Sequence, residues 1–243
     1  MLHQPFPTTG ALRQNLDLGK EQLVRMIEDE PDAVYAYIMS SSSVVLDGDN
    51  LLQKGTGPNF QGGYITLCTC KHRMRTTLPV DEWRGTWVAG FTSVECGGRH
   101  WLFYLGKVKE AYESQSELWH SDVLSTETRH AKSAKYSRLG DLYEPKGELD
   151  SVGRYDAEQY HLPIPRHSHH KHACDNNWRF DIDYSRKKLK VKAKRQPSLL
   201  VLAPEFSFLW RKPLLYVHGR WRQTIYGTLD EFFQELIEPS AGQ

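Results

Sequence analysis

The stretch EWRGTWVAGFTSVECGGRHWLFYLGKV, residues 82–108, decides how the fold is read. Glu82–Phe91 carries Trp83, Trp87, Val88 and Phe91, and Trp101–Val108 is strongly apolar. Cys96-Gly97-Gly98-Arg99 between them is a turn signal. Two β-prone runs around a glycine pair predict a β-hairpin. Working outward, Ala33–Met39 alternates around Tyr35 and Tyr37 and reads as a strand. Val44–Leu46 leads into the turn Asp47-Gly48-Asp49. Tyr64–Cys70 and Leu214–Val217 read as strands. Ser198–Ala203 reads as a buried strand or the start of a helix. Lys109–Trp119 reads as a short helix, or a strand end followed by a helical turn.

Helical spacing appears in two places. Leu18–Glu30 places Leu23, Met26 and Ile27 at helical intervals, and Pro31 ends the run. Thr228–Ile237 sets Leu229, Phe232, Phe233 and Leu236 on one face, with Thr228 as N-cap. Residues 121–198 are polar, with scattered aromatics and many His. Within them Trp178–Tyr184 and Leu189–Lys194 read as short strands. The sum is an α+β fold: a β-rich, twisted mixed sheet or partial barrel with a few flanking helices. Residues 1–31 read as an N-terminal extension with a helix, and 32–243 as a single domain.

A chain of 243 residues with 39% hydrophobic residues buries a core without disulfide or metal support. The net charge of +1 excludes a protein that coats nucleic acid through bulk electrostatics. Charge is nevertheless uneven. Residues 186–195 read RKKLKVKAKR, a strip expected either to meet nucleic-acid phosphate or a partner, or to protect an edge strand with lysines. Four Cys without a CxxC pair, no apolar run in Met1–Gly10 and no membrane-length apolar stretch point to a cytoplasmic protein with reduced thiols.

Three segments carry residue types suited to chemistry. Lys54–Gly63 reads KGTGPNFQGG, whose glycines let a phosphate or base approach the backbone; the plain alternative is a long turn. It lacks the ending of a phosphate-binding Walker loop. Cys70-Lys71-His72-Arg73-Met74-Arg75 sets a thiol beside cations, which favours thiolate, and offers Arg73 and Arg75 to phosphate. Alternatively Cys68 and Cys70 are small core residues followed by a solvated basic turn. Arg166–Cys174 reads RHSHHKHAC, with His169 a candidate general base. It matches no standard ligand spacing, so neither a metal nor a cofactor is expected.

In order along the chain, Gly55-Thr56-Gly57-Pro58-Asn59-Phe60, then Ile65–Lys71 with Met74-Arg75, then Trp83–Gly90 resemble the nucleotide modification associated domain family, types two and three. Gly140-Asp141-Leu142-Tyr143 and Phe206-Ser207-Phe208 are similar to later segments of that family. The resemblance covers roughly residues 33–218. Gly57 stands where Ala is usual, His72 replaces Pro, and Gln53 and Lys54 stand where an acid is expected. The resemblance implies a bacterial or phage protein that makes, reads or attacks modified bases. Its partner would be a nucleotide or DNA, or a protein of a modification or defence system.

The expected site therefore joins Cys70, Lys71, Arg75 and His169 as catalytic groups. Gly55, Gly57, Asn59, Arg73, Asp141 and Tyr143 are the expected nucleotide-binding groups. The loop 55–63, Cys70, Lys71 and Arg75 should line one pocket, with Cys68 deeper than Cys70. Two other readings stand beside the enzyme. One is a non-catalytic reader that stacks a flipped base on the aromatics of the Trp83–Val108 hairpin. The other is a structural subunit of a larger complex.

Overall fold

The computed structural model describes residues 3–27, 32–39, 44–167, 178–184, 195–219 and 223–239. Its first elements are α1 (Gly10–Gln14), α2 (Lys20–Ile27), β1 (Val34–Ile38), β2 (Val44–Asp47), β3 (Asn50–Gln53) and β4 (Thr66–Leu67). There follow α3 (His72–Arg75), β5 (Trp87–Phe91), β6 (His100–Tyr112), α4 (Gln115–His120) and α5 (Thr126–Lys132). The last are α6 (Arg179–Ile182), β7 (Leu199–Leu209), β8 (Tyr216–Val217), β9 (Gln223–Tyr226) and α7 (Leu229–Glu235). The chain is α+β with a mixed sheet, as its sequence indicates. No helix among the described residues is long and apolar enough to cross a membrane.

The chain divides into two compact units. The first holds residues 1–54, 85–108 and 202–243. Its strands run in the order β7-β6-β5-β1-β9, with β8 on β6. The hairpin forms where the sequence puts it: Trp87 faces Lys107 and Phe91 faces Leu102, with a register shift at Gly90. Gly90 is itself confined by its neighbour. A Cβ on Gly90 would stand 2.2 Å from a Tyr104 ring carbon, so only glycine fits there. The Tyr104 hydroxyl donates to that of Tyr37 at 2.8 Å. β1 pairs parallel with β5 and antiparallel with β9.

One apolar cluster fills this unit. It gathers Leu23 and Ile27 of α2, Trp87 and Phe91 of β5, Phe208 of β7, and Leu229, Phe232 and Phe233 of α7. Burying side chains of this size contributes about 1.5–3 kcal/mol each. Thr228 caps α7 by accepting from the Glu231 N–H. In α2 the inward pair is Leu23 and Ile27; Met26, expected on the same face, is exposed. The N-terminal segment is tied into the unit. Asn15 Nδ2 donates to the Ser207 carbonyl at 3.2 Å, and Arg211 pairs with Asp17 at 2.9 Å.

The hairpin aromatics form no open cage. Trp87, Phe91, Phe103 and Tyr104 are fully buried on the two faces of the sheet. The stacking surface expected of a base reader is therefore not on this hairpin.

The second unit holds residues 55–84 and 109–201. Thr66 and Leu67 pair with Val201 and Leu200. The strand expected over Tyr64–Cys70 is only these two residues long, because the chain leaves extended conformation at Cys70 (φ 53°) and Lys71 (φ 49°). Two small apolar clusters serve this unit. Cys68, Leu118, Leu124, Leu142, Leu199 and Val201 form one. Ala134, Tyr143, Ala157, Tyr160, Trp178 and Ile182 form the other. Trp178–Tyr184, expected as a strand, contains the single helical turn α6. The helical turn places the i,i+4 pair Trp178 and Ile182 one above the other, and both enter the same cluster. Leu189–Lys194 lies outside the described residues.

Candidate functional site

The glycine-rich loop is anchored from below by a buried lysine. α5 begins at Ser125, whose hydroxyl accepts from the Thr128 N–H, and ends at Lys132. The Lys132 side chain is fully buried. Its ammonium donates to the Asn59 carbonyl (2.8 Å), Asn59 Oδ1 (3.2 Å), the Tyr64 carbonyl (2.8 Å) and Thr66 Oγ1 (3.0 Å). Asn59 is saturated. Its Nδ2 donates to the Leu139 carbonyl at 2.9 Å, and its backbone exchanges two hydrogen bonds with Thr66.

Thr66 passes the charge on. Its hydroxyl donates to Asp141 Oδ2 at 2.9 Å, and the Cys68 N–H donates to the same oxygen at 3.2 Å. Asp141 Oδ1 is buried without a hydrogen-bond partner. Burial lowers the Lys132 ammonium to about 8, with Asp141 pulling the other way. Burial likewise raises the Asp141 carboxyl to about 6, against the pull of Lys132. A buried pair of this kind holds geometry only while both members are present.

Above this network the chain makes a left-handed turn at Cys70 and Lys71. Two consecutive non-glycine residues in that region carry strain of about 1–2 kcal/mol each, so neighbours must enforce the turn. Arg75 does so. Its Nε donates to the Cys70 carbonyl (2.9 Å) and Nη2 to the Cys68 carbonyl (3.3 Å). Its Nη1 donates to the carbonyls of Pro197 (3.3 Å) and Ser198 (2.7 Å). Arg75 is 1% exposed and its guanidinium is occupied by chain carbonyls. This corrects the expectation that Arg75 holds phosphate: a turn that leaves the ladder frees carbonyls, and the five-donor fork satisfies them. Arg73, two residues earlier, is exposed.

Cys68 is buried, and burial pushes its thiol well above the usual value. Cys70 is half-buried on the turn. Its sulfur lies 3.9 Å from the Thr56 hydroxyl and 3.8 Å from that of Thr69, and those hydroxyls bond each other at 2.8 Å. Cys68 is thus the deeper thiol, as the sequence suggests. Lys71 is half-buried. Burial lowers its ammonium from the ordinary value, while Cys70 beside it acts in the opposite sense. The loop reaches this turn directly, because a Cβ placed on Gly57 would lie 3.9 Å from Cys70 Cβ.

His72, where the resembled family has proline, opens α3. Its Nε2 lies 2.6 Å from Asp181 Oδ1, and its ring stacks on Tyr184 with centroids 4.5 Å apart. The Tyr143 hydroxyl donates to the other Asp181 oxygen at 3.3 Å. Burial, then Asp181, keeps Tyr143 a phenol by raising it well above its usual value. The Asp181 side chain is fully buried and that of His72 is 16% exposed. A carboxylate on Nε2 fixes the orientation of the ring. From the His-rich segment, His167 Nε2 pairs with the Gly140 carbonyl at 2.8 Å, and its ring meets Tyr143 edge-on.

The expected residues therefore separate into two layers. Gly57, Cys70 and Lys71 gather about the turn, and Gly55 leads into the loop. Asn59, Asp141, Arg75 and Tyr143 lie in the interior, each with relative exposure of 1% or less, instead of lining an open pocket. His169 and residues 186–194 of the basic strip lie outside the described residues; Arg195 is exposed. Lys132, Thr66, His72 and Asp181 escaped the sequence reading. The available signals were a Ser-x-x-Thr helix start before Lys132 and an imidazole next to Cys70-Lys71. Among the described residues no three His, Cys, Asp or Glu side chains are arranged to hold a metal ion. The turn sets a thiol, an amine and a carboxylate-backed imidazole on three successive residues. No family model, no curated protein and no solved structure matches the chain.

Proposed function

We propose that the chain acts on a nucleotide, or on a base in DNA, at the turn Cys70-Lys71-His72. The observation that carries this reading is the His72–Asp181 pair at 2.6 Å, set immediately after a half-buried thiol and a half-buried amine on one strained turn. Strain of this sort persists where the surroundings over-determine it, as they do at reactive sites. In this reading Cys70 supplies a nucleophilic thiol, and Lys71 a cation for phosphate or a developing anion. His72, oriented by Asp181, moves protons, while Arg75 and Tyr143 are positioning residues. Gly55 and Gly57 let the ligand approach the backbone. The resemblance of the loop and turn to a nucleotide-modification family supplies the substrate class.

The test is mass spectrometry of nucleosides from DNA incubated with the protein. A changed nucleoside is the expected result. His72→Ala should lower its yield by about 10²–10⁴-fold, the usual contribution of a positioned proton carrier. Cys70→Ser should abolish it at unchanged melting temperature. Full activity in Cys70→Ser removes the thiol from the chemistry. No changed nucleoside in any arm leaves base recognition without reaction as the surviving function.

A further inference from the structure

One hydrogen bond does not orient an imidazole. The terminal torsion of a His side chain is broad, so a ring held at one nitrogen still swings about that contact. His72 is held at Nε2 by Asp181 Oδ1 at 2.6 Å, which fixes one edge of its ring. A second contact fixes its plane. The Tyr184 ring stacks on the His72 ring with centroids 4.5 Å apart and an interplanar angle of 15°. A near-parallel face of this kind opposes tilting of the ring that lies on it.

The holder is itself held. Asp181 and Tyr184 belong to one short segment and reach the same imidazole, one at its edge and the other at its face. Tyr184 is 3% exposed, and the Asp181 side chain is fully buried. Trp178 and Ile182 of that segment pack in the cluster that contains Tyr143. The Tyr143 hydroxyl donates to Asp181 Oδ2, so the carboxylate cannot turn from His72 without losing that bond. The imidazole keeps an opening, because the His72 side chain is 16% exposed. Side chains locked by packing and by hydrogen bonds behind them are what keep a functional group in one geometry.

We infer that Tyr184 is a positioning residue, whose ring sets the plane in which His72 meets a ligand. The inference rests on the reading that His72 moves protons at the turn. Tyr184 acts through His72, and its ring is the working part because the ring face makes the contact.

Two readouts on the full chain test it. The first is acylation of His72 by diethylpyrocarbonate, followed by mass spectrometry of the peptide that contains it. Tyr184→Leu should raise the acylation rate several-fold over the parent, and Tyr184→Phe, which keeps the ring, should not. The second is the yield of changed nucleoside. Tyr184→Leu should lower it about 10–10²-fold, the cost of misplacing a reacting group by roughly an ångström. Tyr184→Phe should keep it. Tyr184→Met covers the imidazole face without a flat surface, so it separates orientation from access. It too should lower the yield, and it stands in where Tyr184→Leu fails to fold. Tyr184→Leu and Asp181→Asn together should lose less than the product of their separate losses, because both act through one ring. A merely structural tyrosine would lower the melting midpoint and leave acylation of the folded chain at the parent rate. The idea is overturned by that result, by Tyr184→Phe behaving as Tyr184→Leu does, or by a parent yield in Tyr184→Met. If no arm changes a nucleoside while acylation rises in Tyr184→Leu and not in Tyr184→Phe, the placement of His72 by Tyr184 stands and the proposed reaction falls.

Discussion

The two units solve the same problem with different materials. The first stacks aromatic and aliphatic side chains between a regular sheet and the helices α2 and α7. The second has short strands and small apolar clusters, and it contains the buried charged side chains of Arg75, Lys132, Asp141 and Asp181. Apolar burial is non-directional, so it tolerates repacking but not lost or added volume. Charge-assisted hydrogen bonds are directional, so they fix loops that have no regular structure of their own. The unit built on directional bonds is the one that carries the thiol, the amine and the imidazole.

This contrast can be broken by substitution. Lys132→Met leaves the carbonyls of Asn59 and Tyr64 short of a donor and Asp141 without its cation. We expect a loss of about 3–5 kcal/mol in urea unfolding, as for other broken buried pairs. The double change Lys132→Met with Asp141→Leu should recover part of that loss. A single variant as stable as the parent would show that the network does not hold the unit. Gly90→Ala tests the other material. Its methyl would meet the Tyr104 ring at 2.2 Å and disturb the Tyr37–Tyr104 hydrogen bond. Overpacking of this kind typically costs about 1–3 kcal/mol, read as a lower unfolding midpoint.

The buried pair also predicts a pH signature. Asp141 is raised to about 6 in the folded chain, so folding takes up protons below that pH, and stability from this group falls as pH rises toward 6. Lys132 is lowered to about 8, so folding releases protons above that pH, and its contribution recovers as pH rises from there. The pair should be least favourable between about 6 and 8. The Met/Leu double variant should lose this trough in a plot of stability against pH, while an unchanged trough would assign it to other groups. The smallest effect belongs to Gly57→Ala. Its Cβ would sit 3.4 Å from Thr69 Oγ1 and 3.9 Å from Cys70 Cβ, ordinary contacts, so the melting midpoint should move by less than about 0.5 kcal/mol equivalent. A larger loss would mean the loop needs glycine for a reason other than space.

The same division governs what the sequence discloses. A period of 3.6 follows from one-sided apolar burial, and continuous β-prone runs from strands buried on both faces; the first unit has both, so the Thr228-capped helix and the Gly97–Gly98 hairpin are readable. Directional networks leave no period. Thr-Glu-Thr-Arg-His-Ala-Lys looks like a solvated face, yet its last residue is fully buried, and nothing local announces the partner 73 residues away at Asn59. Trp178–Tyr184 misleads in the other direction. Its aromatic and β-branched residues favour a strand, but the small cluster around Tyr143 takes Trp178 and Ile182 from one helical turn. Cys70 and Lys71 stand out in the sequence as a thiol beside a cation. The carboxylate that supports their neighbour His72 was not, because Asp181 lies 109 residues further on.

The Arg75 clamp has a consequence for the order in which the chain assembles. Its bonds to Pro197 and Ser198 close loops of 122 and 123 residues. Bringing together ends so far apart costs about 4 kcal/mol of chain entropy, beyond what a local turn requires. Local pieces such as α5 and the antiparallel β2–β3 pair have no such barrier, whereas the left-handed turn waits for the returning chain. The thiol of Cys70 thus gains its fixed setting in a late step of folding. A nascent or partly folded chain carries the residues of the site without its geometry.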